Sequence, residues 1–165
     1  MRKSQYTSLV ASSLCFFSAA SGIHTLPHID SIRSLHGSLL KIADNPAVSN
    51  ILGASSESAY KVAADQLMQQ ARSFDVRIML TKPDGSVVYD SSKGRNNTFE
   101  NSAGKRINEN HNTRISIMTA QTSDSGFSWE IKESTSTNIK EAYTALRIGP
   151  VALSLGTLRI SKRTL

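Results

Sequence analysis

The apolar residues of this 165-residue chain change their spacing near residue 75. Between residues 30 and 74 they recur every three to four positions, which is typical of amphipathic helices. From residue 76 onward they mostly recur at every second position, which is typical of strands with one buried face. A chain of this length has room for one domain of ordinary size. The sequence therefore predicts an α+β domain in which helices come first and strands follow.

Three helices are predicted before the change of period. Asp30 is the expected N-cap of the first helix, and Asn45-Pro46 provides a cap and a first-turn proline for the second, which ends at Gly53. Ser55-Ser56-Glu57 is expected to open the third. The apolar stripe of the first helix comprises Ile32, Leu35, Leu39, Leu40 and Ile42, and that of the third comprises Tyr60, Ala63, Ala64, Leu67, Ala71 and Phe74.

A β-hairpin follows these helices. Val76, Ile78 and Leu80 alternate with polar or flexible residues, so the first strand is predicted to be half-buried. Residues 82–85 read Lys-Pro-Asp-Gly, in which proline presets one turn torsion and glycine accepts a positive φ. The second strand is predicted over residues 86–90.

The rest of the chain predicts a long polar connection and three further strands. A helix is expected over residues 113–121 with Asn112 as its N-cap, and strands are expected over residues 127–132, 139–148 and 151–161. Phe127 and Trp129 are expected to face the core. The apolar alternation changes phase at Gly156, which predicts a β-bulge there. Five antiparallel strands with the N-terminal helices packed on one face complete the predicted fold.

The first 29 residues carry no acidic side chain and have the form of a secretory signal. Arg2 and Lys3 precede a semi-apolar run over residues 8–20, which is too short to cross a bilayer, and small residues follow up to Gly22. We expect residues 1–22 to form a signal-like leader or anchor and residues 23–29 a linker. The chain would then be secreted or anchored through residues 8–20. An organellar transit peptide and a structural N-terminus are the alternatives.

Charge and motifs exclude several classes of function. The formal net charge is +6, but Phe99 is the one aromatic residue in the basic connection, so no nucleic-acid partner is expected. His24 and His28 have helical spacing but no further ligands near them, so no metal is expected. Phosphate-binding loops, nucleophile elbows and zinc-protease motifs are lacking in the sequence. We therefore expect neither an enzyme nor a cofactor.

Three segments resemble the motifs of single Cache domains, which are PAS-like extracytoplasmic sensor modules. They are residues 42–48 (Ile-Ala-Asp-Asn-Pro-Ala-Val), the hairpin at Pro83-Asp84-Gly85, and residues 155–161 (Leu-Gly-Thr-Leu-Arg-Ile-Ser). The resemblance implies a PAS/Cache-like domain over residues 30–165 and a stand-alone extracytoplasmic ligand-binding or sensor module without a transmitter domain. Residues 107–114 bear a weaker likeness to uncharacterised short proteins of large DNA viruses.

The resemblance also implies that a ligand would lie between the sheet and the long connection. Amides, a helix N-terminus and arginine side chains are suited to a small polar or anionic ligand. The candidate ligand-binding residues are Tyr89, Asn110, His111, Arg114, Tyr143 and Arg147. Alternatively, Asn112 merely caps a helix, Arg114 is solvated, and Tyr143 and Arg147 lie on an exposed strand face. A positioned partner that would make His111 a general base is not evident from the sequence, so no catalytic residue is expected.

A second interpretation of the whole chain stays open. It is that of a secreted or virion-associated structural or interaction protein that has no small-molecule pocket and binds a protein partner. A membrane contact is expected only through the N-terminal segment, if that segment is not cleaved.

Overall fold

In the computed structural model of this chain, residues 29–96, 110–133 and 139–163 are described. The helices are α1 (Ile29–Ala43), α2 (Pro46–Leu52), α3 (Glu57–Phe74) and α4 (Ile115–Thr122). The strands are β1 (Arg77–Thr81), β2 (Val87–Asp90), β3 (Phe127–Glu133), β4 (Lys140–Ile148) and β5 (Gly156–Arg163). Short 3₁₀ segments cover Ser91–Asn96 and Val151–Leu153. The expected leader and almost all of the linker lie outside the described residues.

The five strands form one antiparallel sheet in the order β2-β1-β5-β4-β3. The N-terminal helices α1, α2 and α3 pack together against one face of this sheet, and their apolar stripes form one core with it. From the sheet, this core takes Ile78, Leu80, Leu146, Leu158 and Ile160, among others. The predicted α+β class, five strands and helix-covered face are confirmed.

The helix boundaries follow the predicted capping chemistry at two of three places. Asn45 Oδ1 accepts a hydrogen bond from the Ala47 N–H at 2.8 Å, and Ser56 Oγ accepts one from the Ala59 N–H at 3.3 Å. Asp30 is not an N-cap, because α1 already includes Ile29. Its carboxylate instead forms an exposed ion pair with Arg33, one turn along the helix, at 3.1 Å.

The hairpin forms where the sequence predicts it, but β1 is buried on both faces rather than on one. Met79 and Thr81 are as buried as Ile78 and Leu80. β1 lies inside the sheet between β2 and β5. Strand alternation indicated its more apolar face but did not show that the other face is covered as well.

The expected bulge at Gly156 is not present. β4 and β5 keep an uninterrupted register up to the pair Ile148↔Gly156, and the irregularity in the sheet lies between Leu80 and Thr81. The change of apolar phase has another cause. Residues 151–153 form a 3₁₀ turn with exposed apolar side chains, and the strand begins only at Gly156.

Two further expectations are corrected at the second half of the sheet. α4 begins at Ile115 with Arg114 at the N-cap position and no side-chain cap, so Asn112 does not cap it. The Asn112 N–H donates to Asn110 Oδ1 at 2.8 Å in a turn before the helix. Trp129 is not a core residue: it is 46% exposed, since β3 lies at the edge of the sheet. Phe127 packs half-buried against the core, with its ring centre 4.3 Å from that of His36.

Within the part of the chain that the structure describes, no helix combines the length and the apolar character needed to span a membrane.

Candidate functional site

The face of the sheet turned away from α1 to α3 carries mostly polar side chains beside the apolar Met79 and Ala145, and we call it the polar face. Strand alternation and the register put one set of residues on it. The set consists of Thr81, Ser128, Glu130, Tyr143, Arg147, Thr157, Arg159 and Ser161. All except the half-buried Glu130 are buried. Because α4 packs over β3, β4 and β5, these polar groups lie in an interior and not on an open surface.

Arg159 is at the centre of the polar face and connects three other elements. Its Nε donates to Ser116 Oγ of α4 at 3.1 Å, and its Nη2 lies 3.4 Å from Glu130 Oε1 of β3. Its guanidinium carbon lies 4.0 Å from the centre of the Tyr143 ring of β4. Ser116 Oγ in turn donates to Glu130 Oε1 at 2.7 Å. The four groups form a closed charged and hydrogen-bonded cluster.

Burial and neighbouring charge shift the pKa values in this cluster. Burial lowers the pKa of Arg159, while the Glu130 charge opposes that effect and the Arg114 charge adds to it. Guanidinium stays protonated in proteins, so Arg159 remains a cation. Burial, together with the hydrogen bond that its hydroxyl donates to Glu141 Oε2 at 2.8 Å, raises the pKa of Tyr143 to about 12. The cluster therefore offers a buried fixed cation beside a neutral phenol.

Arg147 ends α4. Its Nη1 donates to the carbonyl oxygens of Ser123 at 2.8 Å, Gln121 at 2.9 Å and Ala120 at 3.3 Å, which satisfies acceptors that a helix C-terminus leaves free. At the other end of α4, Ser128 Oγ donates to the Ser116 carbonyl. Both ends of the helix are thus fastened to the sheet from the polar face.

Two buried hydroxyls on the polar face have no hydrogen-bond partner within the described residues. Thr81 and Thr157 stand opposite each other on β1 and β5, and both are 0% exposed. Thr144, on the helix-covered face, has the same property. Most buried polar groups in proteins are hydrogen-bonded, so a facing pair of such hydroxyls suggests a place for a polar atom of another molecule.

The predicted residues Asn110 and His111 lie at the tip of the hairpin. The Asn110 side-chain amide donates to the Asp84 carbonyl at 3.0 Å, and the buried His111 donates its backbone N–H to the Gly85 carbonyl at 2.9 Å. These contacts fasten the segment before α4 to the β1–β2 turn. Arg114 follows at the start of α4, and its side chain is exposed.

Of the remaining predicted residues, the structure brings Tyr143 and Arg147 to one face and separates Tyr89 from them. Tyr89 pairs with Leu80 and lies in the core beneath α3, where its hydroxyl is 3.4 Å from the Ala64 carbonyl. The register irregularity beside it turns Tyr89 toward the helices. The expectation that Tyr89 lines a pocket together with Tyr143 and Arg147 is therefore corrected.

Sequence reasoning missed six residues of the polar face and one residue of α4 that contacts it. They are Thr81, Ser128, Glu130, Thr157, Arg159 and Ser161 on the sheet, and Ser116 on the helix. A signal for three of them was available. Glu130 alternates with Trp129 and Ile131, and Thr157 and Arg159 alternate with Leu158 and Ile160, so each had to face away from the helix-covered core. The described residues contain no group of three His, Cys, Asp or Glu side chains that could hold a metal ion.

No protein-family model matches this sequence, and no curated protein matches it either. Solved structures do match. The sensor domain of the Vibrio cholerae histidine kinase DctB has a TM-score of 0.56 at 15% identity, with 95% of this chain and 51% of that chain covered. The ligand-binding domain of the Campylobacter jejuni chemoreceptor Tlp3, in complex with 4-methylisoleucine, has a TM-score of 0.55 at 13% identity, with 98% and 61% covered.

The ligand-binding domain of the Pseudomonas fluorescens chemoreceptor CtaA, in complex with L-serine, is a further match. Its TM-score is 0.50 at 15% identity, with 94% of this chain and 60% of that chain covered. The chain thus spans between about half and three fifths of the sensor domains it matches. The likeness shows that this chain has the PAS-like fold of a Cache sensor domain, as its three sequence motifs indicated.

Proposed function

We propose that this chain is an extracytoplasmic sensor module that binds a small carboxylate-bearing ligand on the polar face and does not transform it. The observation that carries the proposal is the position of Arg159, a buried cation, within a covered face that also holds two hydroxyls without partners. A buried guanidinium donates strong, charge-assisted hydrogen bonds to a carboxylate. Neutral hydroxyls nearby are suited to the uncharged polar end of the same ligand.

Each residue has a defined part in this proposal. Arg159 uses Nε and Nη2 for Ser116 and Glu130, which leaves Nη1 to face a ligand oxygen. The Tyr143 ring, held against Arg159, forms a wall of the site. Thr81 and Thr157 receive the polar end. The amino acids named in the complexes of Tlp3 and CtaA are ligands of this chemical type, and they make small amino acids and carboxylates the first compounds to test.

We further propose that residues 1–22 direct the domain out of the cytoplasm. The basic, semi-apolar and small-residue order of this segment supports export. The similar structures support the same location, because one of the matching structures is an extracellular domain. The intact mass of protein recovered from outside the cytoplasm tests this point: loss of about 22 residues is expected, whereas a purely cytoplasmic protein of full mass would contradict it.

Ligand binding is tested with conservative Thr→Val variants. Thermal shift followed by calorimetry against amino acids, carboxylates and nucleotides should find a ligand that binds the unaltered chain. Thr81→Val and Thr157→Val should each stabilise the free protein slightly, because a buried hydroxyl without a partner is removed. Each should also weaken ligand binding by about tenfold, since one hydrogen bond is lost.

Thr144→Val is the matched control for this experiment. It also removes a buried hydroxyl without a partner in the described residues, but from the helix-covered face. It should stabilise the protein in the same way and leave ligand affinity unchanged. Equal loss of affinity in all three variants would contradict a site on the polar face.

One observation favours the second interpretation, an interaction protein without a small-molecule pocket. Arg147, Arg159 and Tyr143 all have partners within the protein, so each explains part of the stability of α4 and the sheet without any ligand. Under this interpretation none of the compounds shifts the melting temperature, and the Thr→Val variants change stability alone.

A further inference from the structure

β3 lies at one edge of the sheet, and within the described residues its only neighbour is β4. The hydrogen bond from the Arg147 N–H to the Gly126 carbonyl shows which residues of β3 are hydrogen-bonded to β4. In an antiparallel pair, hydrogen-bonded and non-hydrogen-bonded residues alternate along each strand. Residues 128, 130 and 132 therefore bond to β4, and the backbone groups of residues 127, 129, 131 and 133 point away from the sheet.

The outward groups differ between the two ends of β3. At its start, the Phe127 N–H and carbonyl are within 3.4 Å of the Ser123 and Ser125 hydroxyls. The outward groups of Trp129, Ile131 and Glu133 have no such side-chain partner in the described part of the chain. Within the described residues, these three therefore present an uncovered edge with three N–H donors and three carbonyl acceptors.

The side chains of this edge are self-complementary in one antiparallel register. In a symmetric dimer, a two-fold axis relates the two β3 strands, and residues directly opposite each other must lie on the same face of the joined sheet. This requires that one residue at the axis pairs with its own copy. With Glu130 or Lys132 at the centre, two like charges face each other. With Trp129 at the centre, the second copy would have to bond the Phe127 backbone groups, which the Ser123 and Ser125 hydroxyls already occupy. With Ile131 at the centre, Glu130 faces Lys132 of the second copy twice, and all six outward bonds join unprotected groups.

We propose that two copies of this chain associate through β3, with Ile131 opposite Ile131, so that two five-stranded sheets become one. This interface needs no bound ligand; it lies at the sheet edge and shares Glu130 with the polar face. Trp129 is exposed in the single chain. In the dimer it lies diagonally opposite Ile131 of the second copy, at a distance that its aromatic side chain can span. The proposal thereby accounts for a large apolar side chain exposed on an edge strand.

Sedimentation velocity of the full chain from micromolar to millimolar concentration tests the association. Glu133→Pro removes one outward N–H without touching the β4 ladder and should weaken the dimer at least tenfold; Glu133→Ala keeps the N–H and should weaken it far less. Lys132→Glu places like charges opposite each other and should weaken it at least tenfold. Lys61→Glu, an exposed residue of α3 with the same charge change, should have little effect.

Disulfide trapping tests the register in a Cys15→Ser background. Paired Ile131→Cys residues would have Cα atoms about 5.5 Å apart and should form a covalent dimer on oxidation. Trp129→Cys residues would lie roughly 13 Å apart along the strand and should not. A monomer at millimolar concentration, or a dimer trapped by Trp129→Cys and not by Ile131→Cys, would overturn the proposal. A dimer unaffected by Glu133→Pro and Lys132→Glu would overturn it as well.

Discussion

The guanidinium of Arg159 stacks over the ring of Tyr143 at 4.0 Å, diagonally across the β4–β5 ladder. The pair occupies the centre of the face that the N-terminal helices do not cover. Arg159 also bonds to Ser116, so this one side chain fastens α4 to the sheet and provides the cation of the proposed site. Stability and binding are therefore expected to be coupled at this residue.

Replacing Arg159 with Met should lower the free energy of unfolding by about 3 kcal/mol, because the half-buried Glu130 carboxylate would lose its cation. Urea denaturation measures this change. The double variant Arg159→Met/Glu130→Gln should recover a large part of the loss, since the unpaired charge is then absent. If the double variant were as unstable as the sum of two independent losses, the ion pair would not be the cause.

The fold could be predicted from sequence because its signals are local. The Asn45 cap, the Pro-Asp-Gly turn and the alternation in each strand depend on a few neighbouring residues. The prediction that Trp129 faces the core was wrong for a non-local reason. Alternation shows which side chains share a face, but it does not show that β3 lies at the edge of the sheet.

The site could be predicted only in part, because it depends on register. Tyr143 and Arg147 share a face within one strand, which alternation reveals. Placing Tyr89 with them required the pairing of β1 with β2, and the irregularity after Leu80 decides which way Tyr89 points. The contact of Ser116 with Arg159 spans 43 residues, and no local pattern carries that information.

Replacing Arg147 with Met should loosen the C-terminal end of α4. Three carbonyl groups lose their charged donor, and the free energy of unfolding should fall by about 2 kcal/mol. Hydrogen exchange should become faster over residues 115–122 than over α1. Arg33→Met removes an exposed ion pair and serves as the control, with a loss below about 1 kcal/mol. Unchanged exchange in α4 would contradict the capping role.

Asp90 makes stability depend on acid pH. Burial alone would raise the pKa of this carboxyl, but the hydrogen bonds and charge of Arg77 and the hydrogen bonds from Ser92 outweigh burial and hold it below the ordinary 3.8. A depressed pKa in the folded state stabilises the fold above the unfolded value. That contribution should decline as the pH falls from about 5 through 3.8 and vanish below the folded pKa.

Unfolding by urea between pH 7 and pH 2 measures this dependence. Asp90→Asn should be less stable than the unaltered chain at pH 7 and should lose less stability on acidification. Arg77→Met should flatten the acid dependence in the same way, because it removes the cation that lowers the pKa of Asp90. An unaltered acid slope in both variants would exclude this ion pair as its source.

Gly85 and Gly94 form a matched pair for testing the contact between the hairpin tip and the segment before α4. Both have positive φ, +85° and +54°, so alanine introduces backbone strain at either position. A Cβ at Gly85 would lie 2.4 Å from the Asn112 backbone nitrogen, whereas a Cβ at Gly94 would have no atom of the described residues within 4 Å. Gly85→Ala should therefore cost more free energy of unfolding than Gly94→Ala, by about 2 kcal/mol.

The excess cost at Gly85 has a local signature. The clash would separate Asn110 and His111 from the turn, so the amide of His111 should exchange faster in Gly85→Ala and keep its native rate in Gly94→Ala. Equal destabilisation by the two substitutions would mean that backbone strain accounts for the whole effect. The tip of the hairpin would then not hold the segment that leads into α4.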